Sequence, residues 1–140
     1  MNEDDILRKI TTNKAWPESS ARLCIRAKFK CEYCDLDFLE SPVAYKQIQF
    51  DHIVPRRAKV LNSDENLAVV CRTCNMDWKS RWNPAEKAVS PGASRSELVA
   101  ACRQRVRDQR KKCAAEVARI LDILSAAQPG IAADGASPRR

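Results

Sequence analysis

Aromatic residues make up only 6% of the 140-residue chain, so a large aromatic-rich core is not expected. A small core of that kind often needs a staple such as a structural metal. No apolar run is long enough to span a bilayer, which excludes a transmembrane helix and a membrane partner. The first ten residues, MNEDDILRKI, are acidic rather than basic and lack the apolar stretch of a secretory signal. Histidine occurs once, at position 52, so imidazole chemistry has a single carrier. The length corresponds to one domain with at most an appendage.

Positive charge and cysteine are what the chain does have. Lys and Arg total 25 against 18 Asp and Glu, a formal net charge of +7 with a pI near 9.2. That balance favours a polyanionic partner, nucleic acid above all, although a mildly basic protein with no such partner has the same composition. Of the seven cysteines, four fall in two CxxC pairs. Without an export signal, such pairs point to metal binding rather than disulfides, and hence to a reducing, cytoplasmic-type compartment.

Four zones follow along the chain. Residues 1–30 read as helical, with a helix over 18–29 behind Pro17 that puts Leu23, Cys24 and Ala27 on one side. Residues 31–82 hold the cysteine pairs and nearly all the candidate chemistry. Within them, 45–53 alternates as a strand, 62–66 reads as a turn and 67–70 as a short apolar strand. A helix is expected over about 73–82, stopped before Pro84.

After the break at Ser90, Pro91 and Gly92, residues 94–127 read as one long amphipathic helix, with Ser94 or Ser96 as its cap. Its apolar stripe is Val99, Cys102, Val106, Cys113, Val117, Ile120 and Leu124, with Arg103 and Arg110 interrupting the heptad. The stripe reads as core more readily than as coiled coil, though a homodimer or protein partner through this helix is compatible with it. Residues 93–140 carry ten Lys and Arg against five Asp and Glu, +5 of the total +7. Their central cluster of Arg103, Arg105, Arg107, Arg110, Lys111 and Lys112 is either a solvated face or a DNA-contacting one. Residues 128–140 read as a disordered tail.

The cysteine spacing is the strongest local signal. Cys31 and Cys34 bracket Glu-Tyr, Cys71 and Cys74 bracket Arg-Thr, and the 36 residues between the pairs leave room for a β-hairpin. Two CxxC pairs complete a tetrahedral Zn2+ shell. Four protein ligands close that shell to substrate, so the zinc is expected to be structural and to supply folding free energy. Cys24, Cys102 and Cys113 sit on helical apolar faces and read as buried free thiols.

Between and after the pairs the chain reads FDHIVPRRAKVLNSDENLAVVCRTCNMDWKSR. With the CEYC knuckle, this stretch resembles the HNH nuclease family over residues 31–81. The parts in order are DHIVP, ENL and CRTCN, with fourteen residues from His52 to Asn66 and nine more to Asn75. The resemblance implies an α+β fold, a small zinc-stapled ββα-metal or treble-clef-like core flanked by an N-terminal helix and a long C-terminal helix. It also implies hydrolysis of phosphodiester bonds in DNA, with RNA not excluded. His52 then matches the general base, Asp51 and Asn75 the ligands of one catalytic Mg2+ or Mn2+, and Asn66 the residue that braces the loop and orients the histidine.

Residue chemistry runs the same way. A neutral imidazole suits proton removal from water, and a carboxylate suits a hard cation. A lone histidine is otherwise a structural residue or an extra metal ligand. Strand alternation points Asp51 and His52 to opposite sides, so a shared site requires the strand to end or bend there, as Val54-Pro55 allows. The chain departs from the family twice. Asn75 replaces a histidine in the third motif position, making an HNN variant. The usual basic residue three positions later is Trp78, with Lys79 one step on; on a helix that slip turns the side chain by about 100° and aims Lys79 at a neighbouring phosphate.

Arg56, Arg57, Lys59, Arg72 and Arg81 are the remaining candidate phosphate contacts. Two rivals to a nuclease remain. One is a non-catalytic zinc-bound module of the same fold that binds nucleic acid or protein; the other is an unrelated zinc ribbon, which leaves the DHI, ENL and CN spacing to coincidence.

Overall fold

The first helix owes its start to Asn2, whose side chain accepts a hydrogen bond from the Asp5 backbone N–H at 2.9 Å. This is the opening of a computed structural model that describes residues 1–13, 16–55 and 64–127. Helix α1 is Glu3–Thr11, with Glu3, Asp4 and Asp5 at the positive end of its dipole. Helix α2, Glu18–Arg26, follows Pro17 and buries Ala21, Leu23 and Cys24. The helix expected to reach residue 29 ends three residues earlier. Lys28 and Phe29 both take φ of 54°, the left-handed region in which a right-handed helix cannot continue. The reversal leads into the first CxxC pair, bracketed by a β-bridge between Lys30 and Asp37.

A short helix α3, Pro42–Tyr45, capped by Ser41 Oγ at 3.0 Å from the Ala44 N–H, takes the beginning of the expected strand. Strand β1 is therefore Ile48–His52 and pairs antiparallel with β2, Leu67–Cys71. The register sets Gln49 against Val70 and Asp51 against Ala68, and it sets Phe50 against Val69 and His52 against Leu67. Residues opposite one another share a face. Gln49 and Asp51 thus look to one side of the hairpin and Ile48, Phe50 and His52 to the other.

Where an α-helix over 73–82 is expected, the chain forms a π-helix over Cys74–Lys79. It ends at Ser80, whose φ of 49° stops it short. Helix α4 is Pro84–Lys87, with Asn83 Oδ1 accepting from the Ala85 N–H. Helix α5 runs Arg95–Ala127, and Ser94 caps it by accepting from the Glu97 N–H at 3.2 Å.

Two compact units result, one of residues 1–106 and one that begins at Arg107. The first holds the core, in which Tyr33, Phe38, Ile53, Val54, Val69, Val70, Leu98, Cys102 and Val106 are buried. Arg103 is tied into this unit. It donates to the Glu32 carbonyl at 2.9 Å and pairs with Asp35, whose carboxyl it holds below the usual range. Arg105 lies over the Trp82 ring. In the second unit the helix is exposed almost throughout to Ala127, including Val117, Ile120, Leu121, Ile123 and Leu124.

The expected stripe thus divides. Cys102 and Val106 are core, joined by Leu98, which sequence periodicity passed over. Cys113, read as a buried thiol, is exposed, because among the described residues no apolar layer covers its turn of the helix. The expected tail at 128–140 lies outside the described residues. Among those described, no helix is long and apolar enough to cross a membrane.

The division predicts different mutational costs along one helix. Leu98→Ala should destabilise the protein by about 2–5 kcal/mol, and Val117→Ala by no more than about 0.5 kcal/mol. Urea denaturation followed by circular dichroism reads both, and equal losses would contradict the division.

Candidate metal-dependent active site

The reversal after α2 carries Cys31 and Cys34 to the end of β2, where Cys71 and Cys74 begin the turn into the π-helix. The four sulfurs lie within 4.8 Å of one another, and Cys34 and Cys71 Sγ are 3.8 Å apart. Zn–S bonds of about 2.3 Å give a tetrahedral S–S edge of about 3.8 Å. Backbone N–H groups of Cys71 and Cys74 point at Cys31 and Cys71 Sγ, 3.2 and 3.4 Å away, as donors suited to thiolate charge. Sharing protons among the sulfurs lowers Cys34 and Cys71 and raises Cys31 and Cys74. A divalent cation resolves that competition by taking all four as thiolates. The residues fit zinc, and the closed shell makes its role structural.

Glu32, between the first two cysteines, clamps this knuckle to β2. Its backbone N–H donates to the Val69 carbonyl at 2.8 Å and its Oε2 accepts from the Val69 N–H at 2.7 Å. Arg95 reaches the other carboxylate oxygen at 2.8 Å. Tyr33, beside it, sends its hydroxyl inward.

That hydroxyl donates to Asp51 Oδ2 at 2.7 Å, and the same oxygen takes the Lys79 ammonium at 2.8 Å. Lys79 also donates to the His52 carbonyl at 3.0 Å. Burial, with the neighbouring Asp51 charge, pushes the Tyr33 hydroxyl well above its ordinary pKa, so it stays a donor. Lys79 is only 2% exposed, which corrects the expectation that it contacts a phosphate. The inward position of Lys79 has a geometric cause. A π-helix closes i→i+5 and so holds one more residue per turn than an α-helix. It winds in the extra residue between Asn75 and Lys79, and Lys79 returns to the face that meets β1.

Asn66 is buried and sits across the strand end from His52. Its amide makes two bonds to Val54, accepting from the N–H at 2.9 Å and donating to the carbonyl at 2.8 Å, while its own carbonyl accepts from the Ile53 N–H. The loop after His52 is thereby held at three points. Asn75 donates its Nδ2 to Gln49 Oε1 at 2.8 Å, which leaves its amide oxygen to act as a ligand. Gln49 and Asp51 share a face of β1, so the bonds made by Asn75 and Lys79 both fall on that face. His52, half-buried, is the last residue of β1 and leaves by the opposite face.

Arg72 and Arg81 are exposed, and Arg56, Arg57 and Lys59 lie outside the described residues. Sequence reasoning missed Tyr33 and Gln49. Strand alternation, which puts Gln49 two residues before Asp51 on one face, was a signal for the second. Nothing in the sequence marked the first.

A knuckle, an antiparallel hairpin and a following helix around four cysteines define a metal-stapled ββα core of α+β class. Residues 31–81 match the family model for HNH, described as HNH endonuclease. No curated protein matches the chain. No solved structure matches it either.

Two outcomes test this geometry. Metal analysis should return one equivalent of zinc, and its removal by a chelator should unfold residues 1–106; Cys71→Ser should lose both metal and fold. Lys79→Met, which removes the ammonium from Asp51 and leaves it the Tyr33 hydroxyl, should cost about 3–5 kcal/mol in urea denaturation of the zinc-loaded protein. Arg81→Ala should stay within about 0.5 kcal/mol.

Proposed function

We propose that this protein is a divalent-metal-dependent endonuclease that hydrolyses phosphodiester bonds in DNA. The observation that carries the reading is a single histidine at the end of β1, next in the chain to Asp51 and with Asn75 bonded to the Asp51 face of that strand, inside the segment that matches the HNH endonuclease family. His52 acts as general base on a water molecule. Asn66 keeps the loop behind it from shifting. Asp51 and Asn75 would hold one Mg2+ or Mn2+, which when bound supplies Lewis-acid stabilisation of charge on the phosphate and leaving oxygen. Arg72 and Arg81, with Arg56, Arg57 and Lys59, are the proposed backbone contacts, which position a strand without reading its bases.

The charge balance of the site says how the cation arrives. Asp51 contributes one negative charge, the buried Lys79 ammonium offsets it, and Asn75 is neutral. Such a set holds a hard cation weakly until a substrate phosphate adds its own negative oxygens, the usual arrangement for Mg2+. Cation and nucleic acid therefore bind cooperatively.

The same ion pair is the observation that favours the alternative, a non-catalytic zinc-bound module, because Tyr33 and Lys79 already satisfy one Asp51 oxygen. A single assay separates the two. Zinc-loaded protein with supercoiled plasmid and Mg2+ or Mn2+ should nick it, and EDTA should stop the reaction. His52→Ala should lower the rate by about 10²- to 10⁴-fold while retaining zinc. Absence of cleavage on DNA and RNA alike would sink the nuclease reading, and full activity in His52→Ala would refute the base.

A further inference from the structure

The face of β1 that carries His52 continues into a groove on the far side of the strand from Asp51 and Asn75. Its lining includes Trp16, Ser20, Tyr45, Lys46, Ile48 and Phe50, and its volume is about 310 Å3. That lies at the small end of ligand pockets, which run from about 300 to 1,000 Å3, and suits a planar heterocycle rather than a packed element of protein. The aromatic wall is built in advance. Trp16 Nε1 donates to the Tyr45 hydroxyl at 2.9 Å, and the Trp16 ring stands edge-on to Phe29 and Tyr45 at centroid distances of 6.1 and 6.0 Å. These rings need no reordering to receive a ligand, so the entropy cost of binding is low.

Position and charge indicate the ligand. Along a strand, residues two apart are separated by about 7 Å, so Phe50 lies one such step from His52 and Ile48 two. Lys46 borders the groove at the other end of β1. One strand face thus runs from the proposed base, past aromatic surface, to a cation. This is the pattern of a single-stranded nucleic-acid track, in which bases stack on rings and phosphates meet Lys and Arg. In a duplex both faces of each base are covered by neighbouring bases, so an aromatic groove can take only an unpaired one.

We propose that this groove, on the His52 face of β1, stacks an unpaired nucleobase, which makes single-stranded or locally opened nucleic acid the preferred substrate. That preference rests on the nuclease reading, but the binding itself is measured without cleavage.

The experiment uses the zinc-loaded His52→Ala protein, which leaves the strand intact, with Mg2+ present. Affinity is measured for a short oligothymidylate and for the same sugar–phosphate backbone without bases. The oligothymidylate should bind about tenfold to a hundredfold more tightly, the range for one or two stacked bases. Ser20→Phe, which fills the groove from α2, should bring that ratio close to one, as should Tyr45→Ala. Lys46→Ala should weaken both ligands alike and leave the ratio standing.

A ratio near one without a groove substitution would overturn the proposal. So would a Ser20→Phe protein of unchanged circular dichroism that still prefers the bases. Should Tyr45→Ala fail to fold, Ser20→Phe decides. Plasmid nicking reports on the nuclease reading separately. A protein that cuts but ignores bases loses only this inference, and one that prefers bases but never cuts loses only the catalytic reading.

Discussion

Four sulfurs drawn within 4.8 Å of one another close a loop that begins at Cys31 and ends at Cys74. Everything proposed as chemistry lies inside that loop or immediately after it. Structural zinc in small modules supplies on the order of 10 kcal/mol of folding free energy. That is ample to hold a two-stranded hairpin, which is marginal by itself in water. The staple also fixes direction. Cys71 is the last residue of β2 and Cys74 the first of the π-helix, so the metal sets where the hairpin stops and where the following helix starts.

From that junction the π-helix delivers two side chains to the Asp51 face of β1. Asn75 meets Gln49 at the beginning of the strand and Lys79 meets Asp51 near its end. The buried Asp51–Lys79 pair is anchored from below by Tyr33, itself part of the cysteine knuckle. Site and staple are therefore one structure. A charge pair this deep in a low-dielectric interior is expensive to form and more expensive to break. Its persistence in so small a core is consistent with a role in positioning the strand end that carries His52.

Lys79 sits where a local reading of the sequence does not put it. Counting residues on an α-helix placed its side chain about 100° away from the family position. The backbone widened by one residue in the turn instead, and Ser80 at φ of 49° ended the widening at once. The driving force is tertiary, since Lys79 finds both a carboxylate and the His52 carbonyl only on the returned face. The long helix was legible in the sequence, but which of its turns are covered was not, for a similar reason. Its apolar periodicity continues past Val106, but Cys113, Val117 and Ile120 are exposed, while Leu98 at the start is fully buried. Periodicity records which side chains can be covered, and the packing of the whole chain records which are.

The sequence by itself determined the staple, the hairpin and the identity of the candidate base. CxxC spacing is dictated by metal-ligand geometry over a few residues, strand alternation is local, and a chain with one histidine offers no second choice. Only the tertiary structure decided that Lys79 is an internal cation, that Tyr33 and Gln49 serve the site, and that Trp16, Tyr45 and Phe50 share a groove. Those relations join residues up to 34 positions apart, between Trp16 and Phe50, and each depends on a face that no short window of sequence contains.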